Sequence, residues 1–158
     1  SQSVLAGTAE IKWSNPENYT DIRAGNENKQ RFRNRLFDEF EEYFKQKASD
    51  LPDDIVLKLD IKNVNLAGEI QFSQLLRKNI RHMQKSNMPM MLFTYSITSG
   101  DTLVAEGVAK LKDPAFMRGG TRFKTKFLGY EKRMLTKWFK KDVKKIIDKW
   151  KLEQKAVM

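Results

Sequence analysis

The sequence predicts an α+β fold, a single sheet of about four mainly antiparallel strands covered on one face by two helices. Three observations predict it: short segments that alternate apolar and polar residues, longer segments with apolar residues every three or four positions, and a Gly-Asp pair between two strand-like runs. The length of 158 residues suits one domain with its own core. We therefore treat 1–158 as a single domain, with a family-like core at 9–140 and a basic helical extension at 141–158.

The first half of the chain predicts a strand, a helix and a second strand. Residues 11–13 alternate in polarity, which indicates a short strand. From 28 to 48 the apolar residues line one helical face, and on the other face Arg35 and Glu39 are spaced to form an ion pair. Residues 55–62 alternate cleanly, as a half-buried strand does.

The second half predicts a hairpin and a long basic helix. Residues 91–98 alternate, and the chain returns after Gly100-Asp101, where a glycine at the first central position suits a type II′ turn. The segment before this hairpin is interpreted as a loop with a short helical turn around Leu75–Met83. The long helix is expected to start near Phe127.

The long helix carries two apolar stripes that do not share a face. The first contains Met134, Leu135, Trp138 and Phe139, and the centre of the second is turned by about a quarter of a circle. We therefore expect either a bend near 140–142 or a second stripe that contacts another partner, such as a second copy of the chain. The candidates for self-association in a homodimer are Val143, Ile146, Ile147 and Trp150.

A row of cations follows the same helix. At about 100° per residue, seven basic side chains fall within an arc of about 100°. These candidates for binding an anionic surface or partner are Arg133, Lys137, Lys140, Lys141, Lys144, Lys151 and Lys155. The net charge of the chain is +10, and residues from 131 onward contribute 10 basic and 4 acidic side chains, a balance of +6. The alternative interpretation is a solvated face whose charge complements the helix C-terminus.

The composition excludes several kinds of chemistry. There is no cysteine, which excludes disulfides, thiolate metal sites and cysteine nucleophiles. The one histidine is His82, and no nucleophile elbow, phosphate-binding loop or dinucleotide-binding glycine pattern occurs. We expect a protein that is not an enzyme and needs no cofactor, and we keep a small hydrolase without a recognisable motif as an alternative.

A methionine-rich stretch raises one metal hypothesis. Thioether and imidazole ligands suit Cu(I), but methionine is also a common filler of protein cores. We expect no metal centre and keep Cu(I) as the alternative. The residues concerned are His82, Met83, Met88, Met90 and Met91.

Several ordered blocks of the chain resemble one family. The segments KWSNPENYTDIR, NKQRFRNRLF, LPDDIVLKLDIKNVNLAGEI and YEKRMLTKWF resemble the bacterial family of unknown function DUF3016, over roughly residues 11–140. The resemblance implies a small protein of Gram-negative bacteria that is exported, and hence a periplasmic location with the signal peptide removed. It implies no activity. Asn63 and Asn65 stand where the resemblance leads us to expect acidic residues, which argues against a carboxylate-built site there.

These observations favour an exported envelope protein that binds or scaffolds without catalysis, and that uses its basic C-terminal helix to contact an anionic surface or an acidic protein partner. No apolar run approaches the ~20 residues that a membrane-spanning helix needs. The alternative is a nucleic-acid-binding protein that acts through phosphate contacts, although we expect the aromatic residues of the helix to be buried rather than available for base stacking.

Overall fold

The structure is a computed structural model that describes residues 6–52, 54–119 and 126–157, and its framework is a mixed four-stranded sheet. The strands are β1 (Thr8–Trp13), β2 (Ile55–Asn65), β3 (Glu69–Ser73), β4 (Lys78–His82), β5 (Met90–Ser99) and β6 (Thr102–Lys112). The order in the main sheet is β1-β2-β5-β6, in which β1 is parallel to β2 and the other two pairings are antiparallel. The predicted α+β class is confirmed.

Two helical units pack on one face of this sheet. The first is α1 (Lys29–Ala48), which begins where the Asn28 side chain accepts a hydrogen bond of 3.0 Å from the Arg31 N–H. The second is a long run made of α2 (Gly129–Trp138), a π-helical segment (Phe139–Val143) and α3 (Lys144–Val157). Short 3₁₀ turns occupy Pro16–Asn18 and Phe116–Gly119.

The main core lies between the sheet and the helices. Alternate residues of β2 are buried, as the sequence pattern predicts, and Phe40 and Phe44 of α1 are fully buried against them. The Phe93 ring of β5 meets the Trp138 ring edge-on, with centroids 4.8 Å apart. Burial of each large apolar side chain stabilises the fold by roughly 1.5–3 kcal/mol, so the helix faces are held to the sheet mainly by these contacts.

The hairpin between β5 and β6 forms as predicted. Gly100 has φ +57°, whereas Asp101 has no positive φ, which fits a type II′ rather than a type I′ turn. Further along β6, Gly107 lies under the Tyr95 ring, where a Cβ would come within 2.9 Å of the tyrosine hydroxyl. The close neighbour of Gly107 is therefore an aromatic side chain. The register shift in the pairing of β5 with β6 lies elsewhere, between Ile97 and Thr98 of β5.

The prediction of one sheet with a helical turn around Leu75–Met83 is wrong. Strands β3 and β4 pair as a separate two-stranded hairpin, in the register Glu69↔His82 to Ser73↔Lys78. Periodicity did not reveal these strands because β3 alternates over only five residues and β4 does not alternate. The hairpin is a third structural unit, next to the sheet and the helices.

The ion pairs of α1 also differ from the pair that the spacing of charged residues in its sequence predicts. Arg35 pairs with Glu27 at 3.2 Å, and Glu39 pairs with Lys132 of α2, so the predicted pair between Arg35 and Glu39 does not form. The Tyr43 hydroxyl adds a second link to α2, by donating to the Lys132 carbonyl oxygen at 3.1 Å. These polar contacts hold α1 against α2 at the surface of the core.

The π-helical segment resolves the offset between the two apolar stripes. A π turn accommodates one extra residue, which corresponds to about 100° of rotation at 3.6 residues per turn. That rotation brings the second stripe onto the face of the first, and Val143 and Ile147 are buried to 0% and 2% exposure in the main core. The bend predicted near 140–142 falls inside this segment, where the helix contains a wide turn.

Deletion of Lys141, an exposed residue of the π segment, tests this account. Removal of one residue converts the wide turn to ordinary helix and rotates α3 by about 100°, so Val143 and Ile147 leave the core. We expect a loss of about 3–6 kcal/mol in the free energy of unfolding, from the burial of two large apolar side chains. Urea denaturation followed by circular dichroism measures it.

The matched control is Lys141→Ala, which keeps the length of the segment. It should change the free energy of unfolding by less than about 0.5 kcal/mol, as surface substitutions usually do. Equal stability of the deletion and the alanine variant would contradict the phasing role of the π segment.

Candidate functional site

The lysines of the C-terminal helical run are exposed, but they do not form one continuous row. The rotation in the π segment separates those before it from those after it. Lys137 and Lys141 face strand β6, where they line a shallow groove of about 230 Å³ together with Lys110 and Lys112. The first cationic surface is thus shared between a helix and a sheet edge, and we name it the β6 groove.

Later lysines lie on another side of the run. Lys144 and Lys151 line a second depression of about 440 Å³, beside Asp50, Leu51 and Pro52 after the end of α1. The acidic residues Asp50 and Asp148 share it, so the local charge is more balanced than in the β6 groove. The remaining two predicted lysines, Lys140 and Lys155, are exposed.

Arg133 does not belong to the exposed cationic surface. Its side chain is 17% exposed, and its guanidinium donates to the Asp113 carboxylate at 3.1 Å and to the Phe116 carbonyl oxygen at 2.7 Å. Asp113 is itself 7% exposed. Arg133 therefore anchors the segment after β6 to α2, and it is not part of the exposed row of cations that the sequence analysis expects.

The charge balance of the exposed lysines is the main electrostatic feature of the helix. From Lys137 to Val157 there are eight lysines and three acidic residues, a balance of +5. Among the described residues, none of these lysines comes within ion-pair distance of a carboxylate. The segment presents cationic charge that the described part of the protein does not neutralise.

The residues predicted for self-association divide between core and surface. Val143 and Ile147 are buried in their own chain, so they are not accessible to a second copy. Ile146 packs against the main core and is partly exposed. Trp150 is also partly exposed. Only these two remain on the surface for the predicted contact between copies.

The residues of the copper hypothesis lie in different environments. Met91 is 2% exposed in the main core, whereas His82 is exposed at the end of β4. Met83 and Met88 pack together against a second small apolar cluster, formed by Ala67, Phe116 and Tyr130. Within the described residues, no group of three or more histidine, cysteine, aspartate or glutamate side chains could hold a metal ion.

A crevice at the start of α2 is the feature that the sequence analysis missed. It measures about 530 Å³ and lies between the β3–β4 hairpin, the beginning of α1 and the first turn of α2. Glu131, the third residue of α2, lies in the wall of this crevice and is 4% exposed. Its carboxylate accepts a hydrogen bond of 2.7 Å from the Ala67 N–H, after strand β2.

Burial raises the pKa of the Glu131 carboxyl above its usual range, because a charged group loses its hydration there. Hydrogen bonds from the backbone N–H groups of Ala67 and of Glu131 itself, and the charge of Arg81, lower this pKa by less than burial raises it. The second carboxylate in the crevice, Glu27, pairs with Arg35. Both acids are therefore engaged in structural contacts.

Arg81 fixes the hairpin to the rest of the molecule. Its guanidinium makes two hydrogen bonds to the Asp21 carboxylate, of 2.9 Å and 3.1 Å, and also donates to the carbonyl oxygens of Arg23, Ala67 and Gly68. The Arg81 side chain is 16% exposed and that of Asp21 15%. A two-stranded hairpin alone is marginally stable, so this anchor determines where the hairpin lies.

The uncovered face of the main sheet holds a shallow depression of about 650 Å³. It is lined by residues of all four strands, and its lining has three acids, Glu10, Asp60 and Glu106, and two lysines, Lys12 and Lys58. Lys58 pairs with Glu10 at 3.7 Å. Its electrostatics do not favour an anionic partner.

The two asparagines noted in the sequence also have structural roles, since Asn63 bonds with Thr20 and Asn65 donates to the Met88 carbonyl oxygen.

Fold and site together define a small α+β protein with a cationic helical run and no recognisable catalytic constellation among the described residues. Residues 7–141 match the family described as a protein of unknown function, DUF3016, and the chain belongs to this family. No curated protein and no solved structure matches the chain. The matched region ends inside the π segment, so α3 lies beyond it. In the described part of the chain, no helix has the length and apolar character to cross a lipid bilayer.

Substitution Arg81→Lys tests the hairpin anchor. Lysine keeps the charge but lacks the planar fork that holds both Asp21 oxygens and the nearby carbonyl oxygens. We expect a loss of about 1–3 kcal/mol in the free energy of unfolding, with faster amide hydrogen exchange across β3 and β4. Arg31→Lys, at an exposed position of α1, is the control, and unchanged exchange in the hairpin of the Arg81 variant would contradict the anchor.

Substitution Glu131→Gln tests the buried carboxyl. The folded pKa is raised, so the contribution of Glu131 to stability is fully present below its ordinary value of 4.5 and is lost as the pH rises through the folded pKa. Glutamine keeps an oxygen for the Ala67 N–H but does not titrate. We therefore expect the variant to gain stability relative to the native protein as the pH rises above 4.5.

Thermal unfolding of the two proteins across this pH range measures the difference. The exposed Glu42→Gln controls for the loss of one carboxyl group. A difference between native protein and Glu131→Gln that stays constant with pH would show that burial does not perturb this carboxyl.

Proposed function

We propose that this chain is a non-enzymatic binding or scaffolding protein of the bacterial cell envelope, located in the periplasm, that contacts an anionic surface through the lysines of its C-terminal helical run. The observation that carries the proposal is the balance of eight exposed lysines to three acids between Lys137 and Val157, without ion pairs to described carboxylates. Near an anionic membrane each such cation contributes about 1 kcal/mol.

The β6 groove is the stronger part of this surface. Four lysines of the helix and of strand β6 converge there: Lys110, Lys112, Lys137 and Lys141. The Asp113 carboxylate nearby is engaged by Arg133, which reduces its competition for these lysines. The β6 groove has four lysines and two acids, Asp113 and Asp142, whereas the depression beside α3 has two lysines and two acids. We therefore assign the depression beside α3 the smaller share of the binding.

Lysine substitutions test the proposal. The triple variant Lys112→Gln, Lys137→Gln, Lys141→Gln should weaken binding to vesicles of anionic lipid by about tenfold to hundredfold, because three cations of about 1 kcal/mol each are removed. The triple variant Lys144→Gln, Lys151→Gln, Lys155→Gln should weaken it less. Vesicle co-sedimentation at low and high salt measures both.

A matched control removes three exposed lysines elsewhere, Lys12→Gln, Lys29→Gln and Lys45→Gln, with the same change in net charge. Equal weakening by all three triples would show that net charge alone is responsible, and would contradict a localised site. Tighter binding to duplex DNA than to anionic vesicles at the same salt would favour the nucleic-acid alternative. Binding to neither, with capture of an acidic protein, would replace the membrane surface by a protein partner.

A further inference from the structure

The tip of the β3–β4 hairpin exposes three large apolar side chains. Phe72 is 61% exposed, Leu75 91% and Leu76 54%. They lie within five residues of one another, around the turn that joins the two strands. Scattered exposed apolar residues are ordinary, but a cluster of this kind marks an interaction surface.

The tip is held in a defined position. Its loop of four residues follows the last pair of the hairpin, Ser73↔Lys78, and the Leu76 N–H donates to the Ser73 hydroxyl at 3.2 Å. Arg77 closes the loop in the left-handed region, with φ +52°. At the base, Arg81 binds Asp21, and the Asn79 N–H donates to the Asn26 side chain at 3.0 Å. The apolar tip is therefore a protrusion with a fixed base.

Cations accompany the apolar side chains, and acids are absent from this stretch of sequence. From Ile70 to Lys85 there are four basic residues and no acidic one. Arg77 and Lys78 are exposed directly beside the leucines, and neither forms an ion pair with a described carboxylate. The tip thus combines an apolar end with a cationic collar.

We propose that this hairpin tip inserts into the headgroup region of an anionic lipid bilayer. A convex apolar end reaches the boundary of the acyl chains, while Arg77 and Lys78 stay at the level of the phosphate groups. A protein groove would also accept the leucines and the phenylalanine, but it would not by itself need cations on their flank. Charge complementarity with anionic headgroups therefore favours a lipid surface over a protein groove.

This inference is independent of the proposed function, because the hairpin tip shares no residue with the β6 groove or with the depression beside α3. The hairpin borders the crevice that is lined by the start of α1, whereas Lys144 and Lys151 lie beside the residues that follow its end. The 20 residues of α1 separate these places by about 30 Å. Each surface can therefore be tested without the other.

The absence of cysteine allows a direct experiment. An environment-sensitive dye is attached to the full chain through Leu75→Cys, and through Leu103→Cys as the control, a residue of similar type that is 52% exposed on β6. With vesicles of anionic lipid, the dye at 75 should shift to shorter emission wavelength and the dye at 103 should not. No shift at 75 while the protein is bound to the vesicles would overturn the proposal.

Affinity gives the second readout. Leu75→Gln with Leu76→Gln should weaken partition into anionic vesicles by about tenfold or more, from the loss of two buried apolar side chains. Arg77→Gln with Lys78→Gln should weaken it by about fivefold or more, and only at low salt. Leu103→Gln should leave it unchanged. Unchanged partition of both tip variants would overturn the insertion.

Two other occupants would be recognised in the same assay. A shift at 75 that depends on protein concentration without vesicles would assign the tip to a second copy of the chain. A shift with a lipid-free protein extract but not with vesicles would assign it to a protein partner. Either result would overturn the lipid assignment, and the lysine variants of the C-terminal helix would still test the proposed function separately.

Discussion

The packing of the C-terminal helical run against the sheet sets the position of its apolar stripes and of its lysines. Trp138 and Phe139 lie just before and at the start of the wide turn, and Val143 and Ile147 lie at its end and after it. All four are buried in one core. A regular helix would turn the second pair away by about a quarter of a circle. The wide turn at Phe139–Val143 removes this conflict within one chain. Burial of apolar surface thereby fixes the rotation of α3.

The same rotation decides where the charge lies. Because α3 is turned relative to α2, the lysines on either side of the π segment face different neighbours: strand β6 for Lys137 and Lys141, and the residues after α1 for Lys144 and Lys151. The cationic surface is therefore a consequence of core packing. Because burial of the two offset apolar stripes rotates α3 relative to α2, the lysines are exposed on two sides of the helical run.

Buried polar contacts position the remaining unit, the β3–β4 hairpin. Arg81 and Glu131 both act at the segment that follows β2: Arg81 donates to the carbonyl oxygens of Ala67 and Gly68, and Glu131 accepts from the Ala67 N–H. They connect the hairpin, the end of the sheet and the first turn of α2. The crevice and the exposed hairpin tip both follow from this connection.

Much of the architecture could be predicted from sequence periodicity, and the failures have physical reasons. The pattern of β2 and the face of α1 are regular, and the structure confirms both. The β3–β4 hairpin gives a weak signal because β3 alternates over only five residues and β4 does not alternate, and the hairpin is anchored by the Arg81 side chain. Glu131 looked like an ordinary residue of a charged helix, since its partner Ala67 is 64 residues away. Arg133 was misassigned because the helical wheel does not show Asp113, its partner after β6.

One chain buries both apolar stripes of its C-terminal helix by means of the wide turn. Methyl NMR on a sample labelled at isoleucine, leucine and valine tests this arrangement. We expect nuclear Overhauser effects between Ile147 and Leu51, which lie at the same depression, and from Val143 to the surrounding core, independent of protein concentration. Absence of these contacts, or their appearance only at high concentration between differently labelled copies, would contradict it.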